Sequence, residues 1–141
     1  VNVFFALLSL VLLQQPHGFQ SIHQSSARKY WEGVKFEGDS LVFRYFLPAG
    51  SVSIVGDFNR WDPGKGVMHK DSDGAFVASF KVKPGVYRYR LIVDGKAMPD
   101  PTTSVRINCP FRWFSALRID ENGTVRFDFK GLSKFWLCLR P

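Results

Sequence analysis

The segment Gly56-Asp57-Phe58-Asn59-Arg60-Trp61-Asp62 places an indole, two carboxylates, an amide and a guanidinium in one short stretch. A Trp in so polar a turn is unusual, because a large apolar ring ordinarily seeks the core. The combination suits a pyranose. One ring face of such a sugar offers C–H groups that a flat aromatic covers, and its rim offers hydroxyls that carboxylates, amides and guanidiniums bond. Two further turn motifs follow, Val93-Asp94-Gly95-Lys96 and Pro99-Asp100-Pro101.

Catalytic chemistry is poorly supplied. A nucleophilic triad needs Ser or Cys with a positioned His. The histidines are His17, His23 and His69, two in a linker-like stretch and one beside a turn. Glycoside hydrolysis needs two carboxyls across a cleft. Asp57, Asp62, Asp94 and Asp100 qualify by type, yet each stands in a turn where Asp caps or bends the backbone. A (β/α)₈ barrel takes about 250 residues, and the chain has 141. Cys109 and Cys138 lack the His spacing of a zinc site. The reading is a non-enzyme with no catalytic residue, metal or cofactor.

The elements that must position these groups are strands. Leu41, Phe43 and Tyr45 alternate with polar neighbours, and Ser51–Val55 follows after Pro48-Ala49-Gly50. Val67–Lys70 reads as a short strand. Ala75–Val82 points Phe76, Ala78, Phe80 and Val82 inward; Val86–Val93 points Tyr87, Tyr89, Leu91 and Val93 inward and Arg88, Arg90 and Ile92 outward. Asp94-Gly95 signals a hairpin. Leu117–Asp120 and Thr124–Phe129 read as a second one, with Val125, Phe127 and Phe129 on one face. No amphipathic helix is expected after Ala27, and the apolar tail Lys134–Pro141 reads as a last strand or a truncation. Short strands separated by Gly, Pro and Asp turns predict an all-β sandwich or barrel.

Residues 1–27 carry no Lys, Arg, Asp or Glu, and Val3–Leu13 is an apolar run interrupted by one Ser. The run is short for a bilayer span and resembles the apolar region of a secretory signal. It predicts a signal-like or anchor segment with linker at 1–27 and a β-sandwich domain at 28–141. The protein is then exported (periplasmic, secreted or membrane-tethered), and otherwise cytoplasmic. Membrane contact is through the N-terminal segment alone. In an exported chain Cys109 and Cys138 form one bridge; in a cytosolic one they are two buried thiols. The net charge is +7, but the basic residues are scattered singly. That predicts a solvated basic surface and no nucleic-acid partner.

Over Leu41–Thr103 the two motifs, in this order, resemble the family-48 carbohydrate-binding modules. These include the glycogen-binding domain of the AMP-activated protein kinase β subunit and N-terminal modules of glycogen-branching and isoamylase-type debranching enzymes. The resemblance implies an immunoglobulin-like, early-set sandwich that binds α-glucan. It implies that Trp61 stacks on a glucose ring and that Arg90, at the position of a family Lys, bonds glucan hydroxyls. Asn59 adds polar support. Thr124 matches a family Thr, and Arg126 stands where the family has Asn. Ala97 occupies the place of a second stacking Trp, a departure that Phe111, Trp113 or Phe114 would have to make good. Two alternatives follow from that gap: a protein-interaction or scaffolding sandwich that has lost sugar binding, or an accessory module of a family-13 glucan-active enzyme. The implied partners are an α-glucan and a glucan-active enzyme or kinase-type protein.

Overall fold

The period-two segments pair as two antiparallel sheets in the computed structural model, which describes residues 33–103, 105–129 and 131–139. The apolar segment at 1–27 lies outside the described residues. The first sheet contains β1 (Gly33–Glu37), β2 (Ser40–Tyr45), β4 (His69–Lys70) and β5 (Phe76–Lys81), in the order β1-β2-β5-β4. The second is built on β3 (Val52–Gly56), β6 (Gly85–Val93), β9 (Arg112–Ile119) and β10 (Val125–Arg126), in the order β10-β9-β6-β3. To it β7 (Lys96–Met98) adds on β6, and β8 (Arg106–Cys109) adds on β9. The result is a sandwich, one of the two forms expected from the pattern, of the immunoglobulin-like kind that the resemblance implies.

The core lies between the sheets. Leu41, Phe43 and Tyr45 of β2 are fully buried against Ile54, Tyr89, Leu91, Leu117 and Ile119 of the second sheet. Burying each such side chain contributes about 1.5–3 kcal/mol. Phe43 sits at the centre, with ring centroids 5.3 Å from Phe58 and 5.2 Å from Tyr89. One acid is buried here. Asp100 accepts from the hydroxyls of Tyr45 (2.8 Å) and Tyr89 and from the amide of Thr102 (2.7 Å), while its own amide donates to Ser115 Oγ (3.0 Å). The Pro99-Asp100-Pro101 motif therefore clamps the sandwich edge. Burial, with the charges and hydrogen bonds of this cluster, pushes both tyrosine hydroxyls well above their ordinary pKa.

The C-terminal half departs from expectation in three ways. The tail forms a short helix, α1 (Lys134–Leu139), rather than a strand. Its cause is a bridge from Cys138 to Cys109 at the end of β8, together with the complete burial of Leu137. Strand β9 starts at Arg112, well before Leu117, because β8 pairs with it from Cys109↔Arg112 to Arg106↔Ser115. Strand β10 stops at Arg126; Val125 and Phe127 still pack on the inner core, whereas Phe129 joins a cluster on the opposite face of the sheet.

Candidate functional site

That opposite face carries a second, smaller core. Ile107 of β8 and Phe114 and Ala116 of β9 lie under Leu137 of α1, with Trp61, Val86, Cys109, Phe129 and Cys138 packed around them. Arg88 points to this face, as its place in β6 predicts, but it is buried rather than solvated (5% exposed). The helix held by the disulfide covers it. Arg88 Nη1 donates to the Leu137 carbonyl at 3.1 Å, and Nη2 donates to Asp57 Oδ1 at 2.7 Å. Asp57 Oδ2 also takes the Arg88 Nε (3.0 Å) and the Arg88 amide (2.8 Å). A buried charge needs such a partner, and each group supplies the other's.

The Trp61 turn is built on this pair. Gly56 leads it because space is short: a Cβ there would lie 2.5 Å from the Arg88 carbonyl, while its backbone is extended (φ −174°). The need is room rather than conformational freedom. Phe58 drops into the inner core, 4.4 Å from Phe80 between centroids. Asn59 is buried and closes the turn, accepting from the Gly56 amide (3.0 Å) and donating to the Ile54 carbonyl (2.8 Å). Arg60 and Trp61 then adopt left-handed backbone, φ 58° and 60°. Such a conformation costs about 1–3 kcal/mol per non-glycine residue and clusters at ligand sites. Trp61 N–H closes the turn on the Gly56 carbonyl at 3.0 Å.

The indole of Trp61 is half-buried, not free-standing. Its edge meets Phe114, with centroids 6.3 Å apart, and its Nε1 donates to Asp57 Oδ1 at 3.2 Å. The Arg88 and Arg90 guanidiniums lie 5.8 and 5.9 Å from the ring centroid. The structure thus brings together Trp61 and Arg90, as the sequence predicts, and adds Trp113. The Arg90 guanidinium is 5.1 Å from the Trp113 ring centroid, and its Nε donates to the Trp113 carbonyl at 2.5 Å. No acceptor among the described residues meets either Nη of Arg90. Burial first, and then the neighbouring Arg112 guanidinium, pull the Arg90 pKa below its ordinary value.

The remaining predicted residues are placed elsewhere. The Asn59 amide is occupied inside the turn. Thr124 and Arg126 lie at the far end of β9, where Asp120 accepts from the Thr124 amide (2.8 Å) and from Arg126 Nε (3.0 Å). Arg126 pairs in register with Arg118. From Trp113 to Arg118 along β9 is about 17 Å at the rise of an extended strand, so neither side chain belongs with Trp61. The Gly-Thr-Val segment falls in the turn that leads into β10. Ala97 is exposed opposite Ile92, on the same face as Arg90, and leaves no second ring there. Of the suggested replacements, Phe114 is buried, Trp113 is half-buried beside Arg90, and Phe111 is fully exposed at the tip of the β8–β9 hairpin with φ 64°.

The four candidate carboxylates are all engaged. Asp57 holds Arg88, Asp62 accepts from Gly64 N–H (2.9 Å), Asp94 from Gly50 and Ser51 N–H (3.0 and 2.8 Å), and Asp100 lies in the core. Among the described residues no three of His, Cys, Asp and Glu converge where a metal ion would sit.

The family model for the glycogen recognition site of AMP-activated protein kinase matches residues 40–123, well over half of the chain. The chain belongs to this family of carbohydrate-binding modules. The match begins at the first residue of β2 and ends in the turn before β10, so it takes in the Trp61 turn, Arg90 and Trp113. It stops short of α1, which completes the cluster around Arg88. No curated protein sequence matches the chain.

Proposed function

We propose that this chain is a non-catalytic module that binds α-glucan on the outer face of its second sheet. The observation that carries the reading is the contact of Trp61 and Arg90 in a member of a glycogen-recognising family. The exposed part of the Trp61 indole takes a glucose ring, and the Nη groups of Arg90 donate to hydroxyls at its rim. Trp113 supplies the second aromatic surface in place of the ring missing at Ala97. A stacked ring contributes about 1–3 kcal/mol, by analogy with base–aromatic stacking. Affinity is therefore weak, and for a neutral glucan nearly independent of salt. Asn59, Thr124 and Arg126 take no part, for the reasons of placement given above.

The Cys109–Cys138 bridge and the apolar start of the chain support export to an oxidising compartment. A second reading, protein docking, is favoured by the exposed apolar side chains Phe111, Trp136 and Leu139. Retention on glycogen or amylose separates the two. The glucan reading expects retention that survives high salt and is lost in Trp61→Ala. Absence of retention, or retention unchanged by Trp61→Ala, leaves the docking reading.

A further inference from the structure

Four arginines of the described residues pair with acids, and Arg106, exposed at the start of β8, has no acid partner among them. Arg44 pairs with Asp71 and Asp73, Arg88 with Asp57, Arg118 with Asp128 and Arg126 with Asp120. Around the two indoles the pattern reverses. Arg90 touches both rings, Arg60 directly precedes Trp61, and Arg112 directly precedes Trp113; among the described residues none of the three has a carboxylate partner. Of the acids in the Trp61 turn, Asp57 is taken up by Arg88 and the indole N–H of Trp61, and Asp62 by the Gly64 amide and Lys65.

Register places Arg90 and Arg112 on the same face. β6 and β9 pair from Gly85↔Ile119 to Tyr89↔Ser115. One step further sets Arg90 opposite Phe114, and Arg112 is two residues along from Phe114. It is thus a diagonal neighbour of Arg90, within reach of long side chains. Burial and the charge of Arg112 both disfavour the charged form of Arg90. Two guanidiniums held beside each other without an acid, flanked by apolar rings, leave their mutual repulsion uncompensated. An anion bound between them removes it. Arginine suits this role through its planar fork, which pairs two N–H groups with two oxygens of a phosphate.

We infer that the glucan taken at this site carries a phosphate monoester, seated between Arg90 and Arg112 while the sugar ring rests on Trp61. The inference rests on the glucan-binding reading and adds to it the charge of the ligand. Arg112 is the residue that sets the preference: it is exposed, and its side chain makes no hydrogen bond among the described residues, so its loss leaves the fold and the neutral sugar contacts in place. Arg60, on the other flank of Trp61, adds long-range attraction only.

The test is a titration of the full chain, followed by indole emission, with maltoheptaose and with maltoheptaose bearing one glucosyl 6-phosphate. The phosphorylated ligand is expected to bind about tenfold more tightly at low salt, the effect of one charge-assisted pair. The advantage shrinks at high salt, and in Arg112→Gln it falls to roughly twofold or less, with the affinity for plain maltoheptaose unchanged. Equal affinity for the two oligosaccharides overturns the inference and leaves the glucan reading standing. Binding of neither overturns both. A preference untouched by Arg112→Gln also overturns the inference. So does displacement of the phosphorylated sugar by inorganic phosphate alone, or by a single-stranded oligonucleotide at equal phosphate concentration. The first would show a bare anion site, and the second a nucleic-acid platform.

Discussion

The two faces of the six-stranded sheet follow the same alternation and reach opposite chemistry. On the inner face Tyr89, Leu91, Leu117 and Ile119 meet apolar residues of the first sheet, and the buried acid there, Asp100, is satisfied by neutral donors. On the outer face Arg88, Arg90 and Phe114 meet Trp61, Trp113 and the disulfide-held helix, and the part-buried acid Asp57 is satisfied by a cation. The inner face is closed by a second sheet along its length. Among the described residues the outer face is closed at one end only, by a helix that a covalent bond keeps in place. The difference shows where a sandwich keeps stability and where it has polar groups left over for a ligand.

The largest test of this contrast lies in the inner core. Asp100→Ala leaves the hydroxyls of Tyr45 and Tyr89 without their acceptor and is expected to destabilise the fold by about 3–5 kcal/mol in urea unfolding. A cost below about 1 kcal/mol would show that the motif is not the clamp described. Replacing both cysteines by Ala removes the staple between β8 and α1 and is expected to cost about 2–4 kcal/mol. Its signature is local. Trp61 becomes more accessible to a soluble quencher and glucan retention weakens, while the burial of Phe43 and Tyr45 is unchanged. If quenching is the same with and without the bridge, the helix does not hold the outer cluster together.

The smallest effect is alkaline. The Tyr45 and Tyr89 hydroxyls have folded-state pKa values raised well above 10.0 by burial. A group raised in the folded state contributes stability that is complete below its unfolded pKa and lost as pH climbs toward the folded value. Unfolding free energy is thus expected to hold steady to about pH 10 and to fall above it, by about 1.4 kcal/mol per pH unit for each phenol. Tyr45→Phe should make the fall shallower. An equal slope in the variant would remove Tyr45 from the cause.

The inner face was legible from alternation, because strands of period two with apolar residues on one side have one way to bury them. Leu41, Phe43, Tyr45, Tyr89 and Leu91 all fell where the pattern put them. The outer face was half legible. The same rule gave the direction of Arg88 and Arg90, and the turn motif gave Trp61. It could not give the burial of Arg88, which depends on a tail brought back from the far end of the chain by Cys138. Nor could it show that Trp113 joins Arg90, since that contact needs the β8–β9 hairpin, whose tip is Pro110-Phe111 with Phe111 at a positive φ that Gly usually takes. Thr124 and Arg126 were drawn in by a three-residue likeness, and only strand register shows their distance from the indoles.

Under the glucan reading, the half-buried indole of Trp61, next to Arg90, is the surface on which a glucose ring comes to rest. Titrating the full chain with maltoheptaose while recording tryptophan emission tests it most directly, in the native sequence and in Trp61→Ala. A saturable change is expected in the native chain and at least roughly tenfold weaker binding in the variant, with both chains folded under the conditions of the titration. An identical titration curve in Trp61→Ala, or no response in the native chain, would contradict it.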